Sequence, residues 1–159
     1  MKKIVQLTFT FLALAFILQA CSTTKTSGSA SASRGNFVGT WTITDISYDG
    51  LVPNAVQDVF NQAPPAAFVN STWKLTNSGE GMYTLANGTS QTIFWSFNNA
   101  DKSTPIFQFK KIYQGDKPKN VAEGYQLNVA QSGGGTFIAK TPVVIGSKTA
   151  YIVYTFKKV

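Results

Sequence analysis

Apolar and polar residues alternate with a period of two along most of the chain beyond residue 36, which is the pattern of half-buried β-strands. The first segment begins at Phe37 and places Ile43 on one face and threonines on the other. The phase then changes, because Ile46 and Tyr48 have the opposite parity, so we expect a bulge or a bend near Thr44-Asp45. Aromatic and β-branched residues predict further strands at Thr72–Thr76, Gly81–Leu85, Ser90–Asn98, Ile106–Tyr113, Gly124–Ala130, Thr136–Lys140 and Ala150–Lys157.

Short turn motifs separate these segments. Asn87-Gly88 is the strongest hairpin signal, because both residues tolerate the positive φ angles of a tight turn. Its register stays open: a two-residue turn would place Met82 opposite Ile93, whereas a loop one residue longer would place Tyr83 there. The three glycines that follow Ser132 predict another turn.

One segment departs from the β pattern. Asn54 can cap a helix, and Gln57 stands at the position of a capping box. Val56, Val59 and Phe60 would then lie on one helical face, and the proline pair that follows would end the helix. We therefore expect a short helical insert between the first two strands. A connection of this length is typically functional or lid-like.

Eight short strands in sequence order, joined by short turns, predict one all-β domain over residues 36–159. Closing the sheet would pair both of its edges. The expected fold is thus an eight-stranded antiparallel up-and-down barrel with a short helical insert between strands 1 and 2.

The triplet Gly39-Thr40-Trp41, at the start of the first strand of such a meander, resembles the signature of the lipocalins. The resemblance implies that Trp41 closes the bottom of the barrel and that the first connection folds over the open mouth. It also implies a basic residue stacked on the tryptophan, for which Lys157 or Lys158 is available. The alternative is an ordinary core tryptophan on a strand.

The N-terminus has the order of a secretory signal, with a basic start followed by an apolar run. Leu18-Gln19-Ala20-Cys21 resembles the lipobox of bacterial lipoproteins, which implies a signal peptide over residues 1–20 and lipidation of Cys21 with fatty acids such as palmitate. Ser22 follows the cysteine, and the resemblance then favours anchoring to the outer membrane of a Gram-negative cell. The domain would face either the periplasm or the exterior. Residues 21–35 are rich in Ser, Thr, Ala and Gly and predict a flexible linker.

Composition excludes several chemistries. The sequence has no histidine and one cysteine, so Cys/His zinc sites and His-based acid–base catalysis are excluded. The acidic residues stand mostly in predicted turns, where solvated surface is expected. No phosphate-binding loop precedes a helix. Charges are sparse and scattered despite a formal net charge of +7, which argues against nucleic-acid binding. We expect no enzyme activity, no metal and no cofactor.

Aromatic residues are abundant, and a barrel of this size either fills its interior with them or holds one small ligand. The candidate ligand-binding residues are Val56, Val59, Phe60, Tyr83, Trp95, Phe107 and Tyr125. The first hypothesis is a lipid-anchored envelope protein that binds a small hydrophobic or amphipathic molecule in the barrel. The alternative is a filled barrel whose loops dock an envelope protein or a polysaccharide.

Overall fold

The computed structural model describes residues 32–118 and 124–159. The signal peptide, Cys21 and most of the linker lie outside the described residues. Eight antiparallel strands form a closed up-and-down barrel in which β1 pairs with β8. The strands are β1 (Gly39–Asp49), β2 (Thr72–Leu75), β3 (Glu80–Thr84), β4 (Ser90–Asn98), β5 (Ile106–Lys111), β6 (Tyr125–Gly133), β7 (Thr136–Ile145) and β8 (Lys148–Lys158).

This architecture confirms the predicted fold class, and each predicted strand corresponds to an observed one. The bulge in β1 is also confirmed, because its register against β8 shifts between Ile43 and Asp45. The bulge keeps Ile46 and Tyr48 on the inner face with Ile43. The largest difference between the predicted and the observed strands is in the β7–β8 hairpin. It extends to Ile145 and Lys148, although Pro142 weakens the sequence signal for a strand.

The hairpin at Asn87-Gly88 has a register that neither expected turn gives. Gly81, rather than Met82 or Tyr83, pairs with Ile93. The loop has three residues and is closed by a 2.8 Å bond from the Leu85 amide to the Thr89 carbonyl oxygen. Gly88 takes the left-handed position at φ 87°, so the loop is a tight turn followed by a glycine bulge.

The β1–β2 connection, here called the mouth connection (residues 50–71), folds differently from the prediction. It contains a short helix, but this is a 3-10 turn at Pro65–Phe68. The α-helix expected after Asn54 does not form, because Asn54 and Phe60 both have positive φ angles of 70° and 57°. The Gln57 side chain donates to the Asn54 carbonyl oxygen rather than forming a capping box.

A tight reversal replaces the expected helix. Val59 and Ala63 form an antiparallel bridge, with a 2.9 Å bond from the Val59 amide to the Ala63 carbonyl oxygen. Phe60 and Asn61 occupy the two central positions of the turn, both with positive φ. This geometry turns the Phe60 side chain into the barrel, where it is buried.

The barrel has two distinct ends. Strand directions place the mouth connection and the β7–β8 turn at one end, here called the mouth. Trp41, Asn98 and Lys158 lie at the other, here called the closed end. Trp41 donates to the Phe37 carbonyl oxygen at 2.8 Å, and the Lys158 Nζ atom lies 5.5 Å from the Trp41 ring centroid. Lys158 is therefore the basic residue that stacks on Trp41.

Gly39 makes this stacking geometrically feasible. Its φ is +134°, and a Cβ there would come within 2.9 Å of the Lys158 Cε atom. A side chain at residue 39 would thus displace the lysine stem that covers Trp41. The glycine of the triplet therefore leaves the space in which Lys158 covers the tryptophan.

The segment before β1 also packs on the closed end. A 3-10 turn spans Arg34–Phe37, and the fully buried Phe37 ring lies 4.6 Å from the ring of Phe97. The Arg34 guanidinium stacks 4.6 Å above the Trp95 ring, and the Asn99 side chain donates to the Ala32 carbonyl oxygen. Residues 32–35, which the sequence assigned to the linker, therefore contact the barrel.

Replacing Trp41 by Phe is expected to lower the free energy of unfolding by about 1–3 kcal/mol, because the buried Phe37 carbonyl loses its donor. Urea denaturation followed by circular dichroism measures the change. Tyr113→Phe is the control, since that ring is 61% exposed and should have little effect. Equal stability of the two variants would show that the indole bond contributes nothing.

Candidate functional site

The candidate site is a pocket at the mouth, between the mouth connection and strands β6 to β8. Its volume is about 180 Å³. The mouth connection contributes one wall, and strands β6 to β8 contribute the rest. The lining residues are mainly apolar, with a smaller polar group: Val56, Val59, Phe60, Tyr125, Val143 and Ile152, then Asp58, Gln126 and Thr141.

Phe60 forms the floor of the pocket on the side of the mouth connection. Its ring lies 5.1 Å from the ring of Phe109 and 5.4 Å from that of Tyr125. A third neighbour is Tyr154, at 5.6 Å. A phenylalanine in the left-handed region is conformationally unfavourable, and packing against several rings provides the compensation.

The seven predicted ligand-binding residues divide into two groups. Val56, Val59, Phe60 and Tyr125 line the mouth pocket. Tyr83, Trp95 and Phe107 are fully buried. The Tyr83 ring contacts that of Trp73, and the Trp95 ring contacts that of Phe107, so these three residues fill the interior instead of lining the pocket.

A polar network fixes the mouth connection to the barrel. The Lys111 ammonium donates to the Asn61 carbonyl oxygen and to the Gln62 Oε1 atom, each at 2.8 Å. The Tyr83 hydroxyl donates to the same Gln62 oxygen at 3.3 Å. The backbone N–H of Gln62 donates to the Asp58 carboxylate at 2.8 Å. Lys111 on strand β5 and the buried Tyr83 thus hold the turn that carries Phe60.

Partial burial affects the lysine of this network. Loss of hydration lowers the pKa of Lys111, and the nearby Asp58 carboxylate offsets part of that effect. Its Nζ atom nevertheless donates two 2.8 Å hydrogen bonds to the mouth connection. Lys111 therefore stabilises the position of the mouth connection on strand β5.

Two hydroxyl groups near the pocket were not singled out by the sequence. The Thr141 Oγ1 atom and the Tyr154 hydroxyl are buried, and neither makes a hydrogen bond of good geometry with a described residue. The two side chains nevertheless interact, because burial raises the pKa of Tyr154 and hydrogen bonding by Thr141 lowers it by a smaller amount. Thr141 was not predicted as a pocket residue because β7 was expected to end at Lys140. Tyr154 was not singled out because it alternates along β8 in the same way as the other inward-facing core residues.

The pocket is small by the standard of ligand sites. Drug-sized ligands occupy about 300–1,000 Å³, whereas an apolar cavity of about 150 Å³ binds benzene. A volume of about 180 Å³ therefore accommodates one ring or a short alkyl chain. The rest of a larger molecule would have to lie on the rim.

The rim outside the pocket is also partly apolar. Val144 and Ile145, next to the β7–β8 turn, are 74% and 51% exposed. Val52 in the mouth connection and Tyr113 after β5 are 71% and 61% exposed. These four residues, here called the apolar rim, lie at the same end of the barrel as the pocket.

The acidic residues that the structure describes do not form a reactive cluster. Each of the six that the structure describes is exposed, which agrees with the expected solvated surface. Within residues 32–118 and 124–159, no three His, Cys, Asp or Glu side chains are grouped so that they could hold a metal ion. The mouth pocket contains only neutral groups and Asp58 at its margin.

Comparison with protein-family models, with curated proteins and with solved structures found no match. Among the described residues, no helix has the length and apolarity required to cross a membrane. The class of the protein is therefore defined by its architecture. It is an all-β, closed, eight-stranded up-and-down barrel, and a lipocalin-like barrel fits this arrangement.

Alkaline pH is expected to destabilise the barrel. Burial raises the pKa of Tyr83, Tyr125 and Tyr154 above the ordinary value of 10. Groups with a raised folded-state pKa contribute full stability below pH 10, and that contribution declines as pH rises, because only the unfolded chain ionises readily. The free energy of unfolding should thus fall between pH 10 and 11.5.

Denaturation curves between pH 7 and 11.5 measure this effect. Tyr154→Phe should reduce the alkaline slope, whereas Tyr151→Phe, on the outer face of the same strand, should leave it largely unchanged. Identical slopes for the two variants would contradict the assignment of the effect to the buried phenol.

Proposed function

We propose that the protein is a lipid-anchored, non-enzymatic component of the outer membrane that binds a small hydrophobic or amphipathic molecule at the barrel mouth. The observation that carries the proposal is the mouth pocket, in which Val56, Val59, Phe60 and Tyr125 come together. Apolar burial would provide affinity, and a few polar groups would orient the ligand.

The filled interior limits where such a ligand can bind. Trp95 and Phe107 are fully buried and stack with their ring centroids 5.8 Å apart. Space for a ligand would require the displacement of packed aromatic rings, at a cost of several kcal/mol. The proposed ligand therefore inserts only one ring or one short chain, and the mouth is its point of entry.

The anchor is supported by the N-terminal sequence. The order of basic start, apolar run and Leu18-Gln19-Ala20-Cys21 resembles that of a lipoprotein signal. Two or more acyl chains bind a protein stably to a bilayer, because each buried methylene contributes about 0.8 kcal/mol. Residues 22–31 would then connect the lipid to the closed end of the barrel.

Lipidation is tested by mass spectrometry of the full-length protein, produced in Gram-negative cells and extracted in detergent. The mature chain should begin at Cys21 and carry the mass of several acyl chains. Cys21→Ser should abolish both cleavage and added mass, while Ser22→Ala should retain them. A free thiol at Cys21, or a cleavage site elsewhere, would disprove the anchor.

Binding at the pocket is tested with benzene as the probe, titrated against the isotope-labelled domain by nuclear magnetic resonance. The wild-type protein should show saturable shifts at Val56, Val143 and Ile152. Val143→Trp should weaken binding by about tenfold or more, because the indole occupies the pocket. Val144→Trp is the matched control, since that side chain points outward on the same strand and is 74% exposed.

Absence of saturable shifts in the wild type would disprove the pocket as a ligand site. Equal binding by the two tryptophan variants would place the probe elsewhere. Neither result would affect the anchor, which is measured independently.

A second candidate function is supported by the apolar rim. Val52, Tyr113, Val144 and Ile145 expose apolar side chains around the mouth of a filled barrel. Such a surface favours docking of an envelope protein or a polysaccharide through the loops, with the pocket receiving one side chain or sugar face. If benzene fails to bind, this interaction module becomes the better hypothesis.

A further inference from the structure

We propose that Phe60 is the specificity-determining residue of the mouth pocket, because its ring separates the pocket from the aromatic interior. The ring would limit the buried part of a ligand to one ring or one short chain. This inference rests on the proposed ligand-binding function and specifies which side chain decides the size of the ligand.

The position of Phe60 between the pocket and the interior is the first observation. Phe60 lines the pocket, and only 5% of the residue is exposed. Its ring centroid also lies 5.3 Å from that of Phe68 and 6.4 Å from that of Trp73. Phe68 and Trp73 are buried and do not line the pocket. The Phe60 ring is thus in contact with the packed interior and with the space that a ligand would occupy.

The backbone conformation at Phe60 is the second observation. Its φ of 57° lies in the left-handed region, which a bulky residue rarely occupies. Glycine or asparagine would form the same turn at a lower cost, as Asn61 does at the next position with a φ of 46°. Strained residues of this kind concentrate at functional sites, including those that clamp ligands. The turn itself does not require a phenylalanine, so the role of this residue lies in its ring.

Phe60 can change without a change in the strand ladder. Ile152, on the opposite wall of the pocket, pairs with Tyr48 on β1 and with Thr141 on β7, so its position is fixed by the sheet. Phe60 belongs to the mouth connection, and hydrogen bonds from Lys111 hold this turn through the neighbouring residues. Its side chain therefore determines the depth of the pocket independently of the barrel wall.

The pocket volume explains what the ring excludes. An apolar cavity of about 150 Å³ binds benzene, and the mouth pocket has a volume of about 180 Å³. A second fused ring would therefore stay on the rim, in contact with water. Removal of the Phe60 ring would join its volume to the pocket and allow the second ring to be buried.

Benzene and naphthalene test this inference, because they differ by one fused ring and carry no polar group. Dissociation constants are measured by nuclear magnetic resonance titration of the isotope-labelled wild type, Phe60→Ala and the control Phe137→Ala. Phe137 is buried, does not line the pocket and packs against Trp41 at the closed end. The control thus removes the same atoms from the interior at a distance from the mouth. Phe60→Leu is measured as well, because it retains more of the core if Phe60→Ala does not fold.

Phe60→Ala should raise the affinity for naphthalene relative to benzene by about tenfold or more, because apolar area of the second ring becomes buried. Phe60→Leu should change this ratio in the same direction by about threefold, whereas Phe137→Ala should leave it within about twofold of the wild-type ratio. Naphthalene should also raise the melting temperature of Phe60→Ala more than that of the wild type, because a ligand of the folded state stabilises that state.

Three results would overturn the inference. Benzene binding to the wild type with a ratio unchanged in the folded Phe60 variants would leave the pocket as a ligand site and remove Phe60 as its size determinant. An equal rise of the ratio in Phe137→Ala would show that any loss of core packing admits the larger probe. Failure of the wild type to bind benzene would disprove the proposed ligand function together with this inference.

Discussion

The constraint on which the rest of the structure depends is the width of a closed eight-stranded sheet. A barrel of this size leaves an interior that side chains can just fill. This protein fills it with aromatic rings, including Trp73, Tyr83 and Phe156, all of which are buried. Phe137 and Phe156 stack with their centroids 4.1 Å apart. The interior is therefore a packed core, and the pocket lies at one end of the barrel.

The ends differ because different chain segments cover them. At the closed end, Trp41, Lys158 and the turn at Arg34–Phe37 form a continuous cover over the strands. At the mouth, the covering segment is a connection whose turn residues include Phe60 in a left-handed conformation. Lys111 and Tyr83 hold that turn through hydrogen bonds to Asn61 and Gln62. The pocket lies between Phe60 and strands β6 to β8.

Local patterning predicted the barrel but not the details of its mouth. Alternation identified the strands because one face of each is buried, and the phase change located the bulge after Ile43. The expected helix after Asn54 failed because burial of Phe60 among several rings outweighs local helix propensity. Pro142 shortened the predicted β7, so Thr141 was not considered as a pocket residue. The register at Gly88 depends on which residue takes the left-handed angle, which sequence does not specify.

The contacts of Ala32 and Arg34 with the closed end have a practical consequence. Ala32, the first residue that the structure describes, lies at the end of the barrel opposite to Val143 and Ile152. An affinity tag or fluorescent fusion in place of residues 1–31 would therefore not obstruct the pocket. Immobilisation on a sensor chip through the N-terminus would therefore leave the pocket facing the injected analyte.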